Sequence, residues 1–392
     1  MFKRKLVQQL VERLCEPRRF IQIVAGPRQT GKTTAVLQAL KEINAPMHYV
    51  SADDPNLLGA EWLRNEWEQA RSLSKTHGNA ILAIDEIQKV GKWSSVVKLL
   101  WDEDSRNQVS LKVIITGSSS LLLQKGLAES LMGRFEILYS SHWSYAECQE
   151  AFGYSFNDFL FFGGYPGASV LISDEERWAR YMGTSIVEPT ISQDILMMEE
   201  VRKPALLRSL FMLGSSYSAQ ELSFTKMLGQ LQDAGNTVTL AHYLELLSRA
   251  RMLTGLQNYS GNKIRIRKSS PRFMVFDTSL MTYADGANRQ RLLDNPKDRG
   301  RLVESAVGAY LLARGMEEGF EVYWWRDRDN EVDFVIKKGS LLTAIEVKSG
   351  RVKAAGGSLV FKRLYPEALS LVIGSTNNGL EEFLLGQKPL FL

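Results

Sequence analysis

The run Gly26-Pro27-Arg28-Gln29-Thr30-Gly31-Lys32-Thr33 sets two glycines, a lysine and a hydroxyl at the spacing G-x-x-x-x-G-K-[ST]. Gly26 and Gly31 let backbone N–H groups turn inward as an anion nest, at the positive end of a helix that starts beside them. Lys32 adds a point charge against β- and γ-phosphates, and the Thr33 hydroxyl is of the kind that holds Mg²⁺. The context is the one such a loop requires, with the strand-like FIQIVAG before it and a helical pattern after it. Gly26 through Thr34 is therefore the expected nucleotide-binding set.

A second group fits the first. AILAIDE ends an apolar run on Asp85 and Glu86, and two adjacent acids at a buried strand tip need a cation to face. Asp85 is expected to ligate Mg²⁺ directly or through water, and Glu86 to polarise the attacking water. The plainer reading is a pair of acids capping the next helix. LKVIITGSSS places Thr116 and Ser118 at another strand end, either as γ-phosphate sensors or as ordinary turn residues. Arg134 is either the cation that stabilises a transferring phosphoryl group or an exposed structural arginine.

The elements that must hold these residues follow from the apolar pattern. FIQIVAG, MHYVSAD, AILAIDE and LKVIITGS alternate with helical stretches, the rhythm of a parallel sheet covered by helices. Each ends in Gly, Ser, Asp or Glu, where open α/β sheets place their ligands. Leu6, Leu10 and Leu14 recur every four residues and predict an amphipathic helix rather than a signal peptide. Of 392 residues, 44% are hydrophobic and 23% charged, which excludes wholesale disorder, and a net charge of +4 excludes a polycation. Two cysteines, Cys15 and Cys148, cannot make a disulfide framework, and no Cys/His cluster suggests structural zinc. The stretch DFLFFGGYPGASVLI is broken by Gly163, Gly164, Pro166 and Gly167, so no membrane span is expected and the chain reads as cytoplasmic.

GPRQTGKTT, AIDEIQKVGKW, ITGSSSLLLQKGLAESLMGRFE and FFGGYP, in this order, resemble a bacterial and archaeal family of AAA-type ATPases whose C-terminal half is catalogued as a domain of unknown function. The resemblance covers nearly the whole chain. It implies ATP and Mg²⁺ as cofactors, ATPase roles for Lys32, Thr33, Asp85 and Glu86, and a homo-oligomer. It leaves Arg134 open.

The middle of the chain, from LLRSLFMLG to MLTGLQNY, reads as helix, helix, turn, helix, with Thr237 at or near a cap and Leu240, Tyr243, Leu244 and Leu247 on one face. KIRIRK then alternates Lys263, Arg265 and Arg267 with isoleucines, as in the wing of a winged helix. Seven basic residues and no acid lie between Arg249 and Arg272. The strip either contacts DNA phosphates or is a solvated strand edge kept charged against aggregation.

VYWWRDRDNEVDFVIKKGSLLTAIEVKSG reads as a hairpin or meander. It carries Asp333 on one strand and Glu346 and Lys348, on a shared face, on the next. Glu304 lies at the margin of an apolar helix face upstream. Helix–Glu, strand–Asp and strand–Glu-x-Lys resemble the PD-(D/E)xK nuclease-like core, with Val332 where a proline often precedes the Asp. That resemblance implies a second divalent metal, Mg²⁺ or Mn²⁺. A salt-bridged surface that only docks partners is the alternative.

The expected architecture is α/β, with an AAA-type P-loop domain (1–150), a helical and winged-helix region (151–268) and a restriction-endonuclease-like domain (269–392). The expected activity is ATP hydrolysis acting on DNA; the alternative is a docking ATPase whose nuclease-like domain is inactive and binds a protein.

Overall fold

The computed structural model describes residues 2–53, 59–117, 130–196, 201–232, 235–260, 270–286, 288–348, 356–374 and 379–391. They form two compact units, Met1–Ser141 and His142–Leu392.

The first unit is a parallel sheet between helices. Its elements are α1 (Lys5–Cys15), β1 (Ile21–Ala25), α2 (Lys32–Glu42), β2 (Met47–Ser51), α3 (Ala60–His77), β3 (Ala80–Asp85), α4 (Trp93–Arg106), β4 (Leu111–Gly117) and β5 (Phe135–Tyr139). The strand order is β2-β3-β4-β1-β5, and all four pairings are parallel. The four apolar runs are the first four strands. β5, which the run pattern did not single out, completes the edge.

Alternation of side chains across each strand gives the sheet two cores. Ile21, Ile23, Leu82 and Ile84 join Trp67, Val97 and Leu100 of α3 and α4 on one face. Val24, Ile81, Ala83 and Ile114 join Leu6, Leu10 and Leu14 of α1 and Val36 of α2 on the other. The four-residue leucine repeat is thus the buried stripe of α1. Burial on both faces explains why β3 reads as a continuous apolar run that yields to charge only at Asp85.

The second unit begins with α5 (Tyr145–Phe152), α6 (Phe156–Phe162) and α7 (Glu175–Tyr181). Next come α8 (Pro204–Ser216), α9 (Phe224–Leu228), α10 (Thr237–Arg249) and the antiparallel pair β6 (Leu253–Leu256) and β7 (Arg272–Val275). The cap of α10 is Asn236, whose Oδ1 accepts from the Thr239 N–H, one residue before the expected Thr237. Then follow α11 (Thr278–Asp285), α12 (Arg289–Asp294), α13 (Pro296–Glu318), β8 (Glu321–Asp327), β9 (Asn330–Lys338), β10 (Leu341–Lys348), α14 (Gly356–Leu364), β11 (Leu369–Gly374) and α15 (Leu380–Leu384). β8, β9 and β10 are the antiparallel meander that the sequence suggested, and β11 adds in parallel beside β10.

The FFGGYP corner is seated within this unit by one buried carboxylate. Asp277 accepts from the Gly164 N–H at 2.7 Å and from the Ser279 N–H at 3.0 Å. A Cβ at Gly163 (φ +66°) would lie 1.9 Å from Asp277 Oδ1, so the corner needs glycine there for space as well as for conformation. Burial pushes Asp277 up to about 6 from its ordinary 3.8. The folded chain therefore keeps a proton that the unfolded chain releases, and this group's contribution to stability falls as pH rises through that window. Against a non-titrating Asp277→Asn variant, wild type is expected to gain about 1 kcal/mol between pH 7 and pH 5. Urea unfolding at the two pH values measures this, and a pH-independent gap would contradict the assignment.

Candidate active site

The phosphate-type loop is built by close contact at the C-terminal edge of the first sheet. β1 stops at Ala25, and a Cβ on Gly26 would come within 2.1 Å of the Ser140 carbonyl oxygen, so only glycine lets the strand end pass there. Gln29 (φ 59°) and Gly31 (φ 85°) then adopt left-handed backbone and turn the chain into α2. Gly31 is the cap of α2 and offers no side chain, which leaves the positive end of the helix to a ligand. Lys32 is buried and bridges the loop, donating to the carbonyls of Gly26 (3.1 Å) and Pro27 (2.6 Å). The Thr30 hydroxyl donates to the Pro27 carbonyl at 3.1 Å. Arg28 is half-buried, and Thr34 is exposed on the first turn of α2.

Two anchors of this loop carry no sequence signal. Arg4 donates to the Thr30 carbonyl (3.2 Å) and to the Ser140 Oγ (3.1 Å), and the Thr30 and Ser140 hydroxyls are themselves 3.1 Å apart. Both residues are buried, Arg4 lying 26 residues before Thr30 and Ser140 110 residues after it.

Beside the loop, three strand ends meet on Asp85, which is 4% exposed. Thr33 Oγ1 donates to its Oδ2 at 2.7 Å and the Tyr49 hydroxyl to the same oxygen at 3.0 Å. The Thr116 hydroxyl and the Glu86 N–H both donate to Oδ1, the latter at 3.1 Å. Parallel register does the placing: Ser51 pairs with Asp85, and Ile84 with Ile115, so β2, β3 and β4 end together. Burial first, and then the Asp85 charge, pushes the Tyr49 hydroxyl well above its ordinary range. Glu86 follows at φ 53°, a left-handed conformation unusual for a side chain this long, and its Oε2 accepts from Gln88 Nε2 at 2.5 Å. Asp53, at the end of β2, is held below its ordinary range by Lys89, which pairs with it. Ser118 lies outside the described residues.

A hydroxyl and a carboxylate in contact next to a buried lysine form a hard oxygen set, which suits Mg²⁺ bound to a nucleotide. Thr33 and Asp85 are the residues that would hold it. Arg134 is not brought to the loop of its own chain. Its carbonyl accepts from the Ile21 N–H (2.8 Å), so it lies at the opposite end of β1, about 16 Å away along five residues of strand. Its guanidinium grips Asp102 with two bonds of 2.8 and 3.0 Å.

In the second unit the structure gathers Glu304 of α13, Asp333 of β9, and Glu346 and Lys348 of β10, and it adds a residue to them. Arg272 of β7 is buried, with Nη2 2.9 Å from Glu304 Oε2 and Nη1 2.8 Å from Glu331 Oε1 and 3.7 Å from Asp333 Oδ1. Its Nε donates to the Ala219 carbonyl at 3.0 Å. Glu346 is 3% exposed, accepting at Oε1 from the N–H and hydroxyl of Ser358 (2.7 and 2.6 Å) and at Oε2 from Lys348 (3.1 Å). Asp333 Oδ2 accepts from the Val347 N–H at 2.7 Å. Burial first, with the neighbouring Asp333 carboxylate second, pushes Glu304 up to about 7, and burial raises Asp333 as well. The second divalent metal does not fit here, because protein cations already sit against these carboxylates, Arg272 against Glu304 and Asp333 and Lys348 against Glu346. Among the described residues no group of three or more His, Cys, Asp or Glu is arranged to hold a metal ion.

Arg272 therefore leaves the basic strip, since it is a buried ion-pair residue and not a phosphate contact. Arg249 is paired with Glu245 on α10, and Lys263, Arg265 and Arg267 lie outside the described residues.

Residues 18–149 match the family model of an AAA domain. Residues 153–291 match a domain of unknown function, DUF8612, and residues 299–382 match another, DUF4143. The chain is 26% identical to the uncharacterized protein MJ1544 of Methanocaldococcus jannaschii over 357 residues, covering 85% of this chain and 76% of that one. A solved chain from work described as "Structural Basis for Katanin Self-Assembly" aligns with 34% of this chain and 44% of its own length, at 23% identity and a TM-score of 0.25. Among the described residues no helix is long and apolar enough to cross a membrane.

Lys32→Ala is expected to weaken ATP binding by roughly ten- to a hundredfold, the loss of one charge-assisted contact. Glu86→Gln is expected to bind ATP normally and hydrolyse it about a hundredfold or more slowly. Equilibrium binding with single-turnover hydrolysis separates the two, and unchanged turnover in Glu86→Gln would remove that residue from the chemistry.

Proposed function

We propose that this protein is an ATP-hydrolysing switch of AAA type whose second unit docks a protein partner. The observation that carries the ATPase reading is the 2.7 Å bond between Thr33 and Asp85 beside the Lys32-bridged loop; the AAA-domain match over residues 18–149 supports it. Backbone N–H groups of the loop and the start of α2 cradle the phosphates, and Lys32 exchanges its carbonyl partners for β- and γ-oxygens. Mg²⁺, when bound at Thr33 and Asp85, supplies neutralising charge to those oxygens. Glu86 orients the attacking water and accepts its proton. Thr116, tied to Asp85, reads the state of the phosphate end.

Arg134 supports a homo-oligomer. It lies too far from its own loop to act in cis, so a finger role requires the loop of another copy, with Asp102 aiming the guanidinium. Turnover then resets the assembly and the docking state of the second unit.

Docking is favoured over DNA cutting by the Arg272 clasp and by the outward face of α10. That face presents Val238, Ala241, His242, Glu245 and Arg249, with its acid and its arginine paired to each other. It offers a duplex little positive charge. DNA contact remains the second reading because three helices followed by an antiparallel strand pair match the order of a winged helix.

Supercoiled plasmid incubated with wild-type protein and Mg²⁺ or Mn²⁺, with and without ATP, is expected to stay supercoiled, and DNA at low salt is expected to leave ATP turnover unchanged. Nicking that disappears in Asp333→Ala would contradict the docking reading and restore the nuclease. A DNA-stimulated rate without nicking would establish the winged-helix contact alone.

A further inference from the structure

We propose that Arg272 stands in place of a divalent metal in the second unit, so that the core formed by α13, β9 and β10 is closed by a cation from the chain itself. The inference rests on the nuclease-like reading of Glu304, Asp333, Glu346 and Lys348, and it says why that core is inert.

The geometry gives three reasons. First, Arg272 comes from a different sheet than the acids: β7 pairs with β6, whereas Asp333 and Glu346 belong to the meander. Its guanidinium reaches the acids at 5% exposure and spends Nε on Ala219, Nη1 on Glu331 and Nη2 on Glu304. This fork is fixed from three directions, so it is part of the fold and no loose surface arginine.

Second, the oxygens a metal would need are committed. Asp333 turns Oδ2 to the Val347 N–H and Oδ1 toward Arg272, and both Glu346 oxygens are held, by Ser358 and by Lys348. A divalent ion would have to displace two protein cations, Arg272 and Lys348, together with the N–H and O–H donors.

Third, charge forbids coexistence. An ion shared by Glu304 and Asp333 would lie within a few ångström of the Arg272 guanidinium, and two positive charges that close repel each other. Arginine and metal exclude each other, and the arginine is tethered.

One consequence is architectural. Arg272 fastens the β6–β7 pair to the meander and α13 at the point where a nuclease would hold its ion. A second is chemical. Replacing Arg272 with a neutral residue leaves Glu304 and Asp333 facing each other with only Lys348, itself bonded to Glu346, as a nearby cation, and a divalent cation then becomes the natural replacement.

The test is Mn²⁺ binding by electron paramagnetic resonance on nucleotide-free, full-length wild type, Asp333→Asn, Arg272→Gln and the double variant. Wild type and Asp333→Asn are expected to bind the same amount of Mn²⁺. Arg272→Gln is expected to gain one equivalent, which the double variant loses. A wild-type equivalent that vanishes in Asp333→Asn would overturn the proposal, as would a folded Arg272→Gln that gains none. If Arg272→Gln does not fold, Arg272→Lys keeps the charge with a looser hold. Millimolar Mn²⁺ should then raise its melting temperature, but not that of Arg272→Lys with Asp333→Asn, and equal responses would overturn the proposal. Plasmid added to the Mn²⁺-loaded Arg272→Gln tests the underlying reading separately. Metal bound without cutting leaves the Arg272 proposal standing and shows that the core can hold an ion without cleaving DNA.

Discussion

The Asp85 carboxylate is the point on which the first unit's site depends. A buried anion at a strand end is costly unless hydrogen-bond donors surround it, and four converge on it here, from α2, β2, β4 and its own backbone. The same bonds fix the relative height of three strands and the first turn of α2. The loop, the hydroxyl of Thr33 and the neighbouring Glu86 are therefore held in one frame by one charge. A ligand cation that draws on Asp85 and Thr33 necessarily bears on Thr116 and Tyr49 too. That is a direct physical route from phosphate occupancy to the strand ends.

The second unit solves the same problem differently. Its cluster of acids is neutralised by Arg272 and Lys348, protein cations that nothing can remove by dilution or chelation. The first carboxylate is met by neutral hydroxyls and an N–H, whereas protein cations close the second cluster. A chain with one exchangeable site and one sealed one is well suited to convert nucleotide state into the presentation of a surface.

Much of this was legible in the residues. The phosphate loop, the acids after β3 and the first four strands are local patterns, and each of them is decided by a handful of neighbours in sequence. The meander was equally plain, because its alternation and its Lys-Gly-Ser turn are local as well. The leucine repeat gave α1 its buried stripe. What escaped were contacts made across long stretches of chain. Arg4 and Ser140 bracket the loop from opposite ends of the first unit. Tyr49 reaches Asp85 only because of strand register. Arg272 read as one more cation of a basic strip, and only the fold turns it inward onto Glu304 and Asp333. Arg134 shows the opposite case: its type suited the chemistry, but its strand end is the wrong one for its own loop. Composition states which charges exist, while topology decides which of them meet.

The measurement that bears most directly on this account is the Mg²⁺ dependence of ATP binding, followed with a fluorescent ATP analogue on wild type and Asp85→Ala. Wild type should bind much more tightly with Mg²⁺ than with chelator, and Asp85→Ala should lose that advantage by about tenfold or more while still binding the metal-free nucleotide through the loop. If Asp85→Ala gains as much from Mg²⁺ as wild type does, the carboxylate holds the strands and not the ion, and the account of the site is wrong.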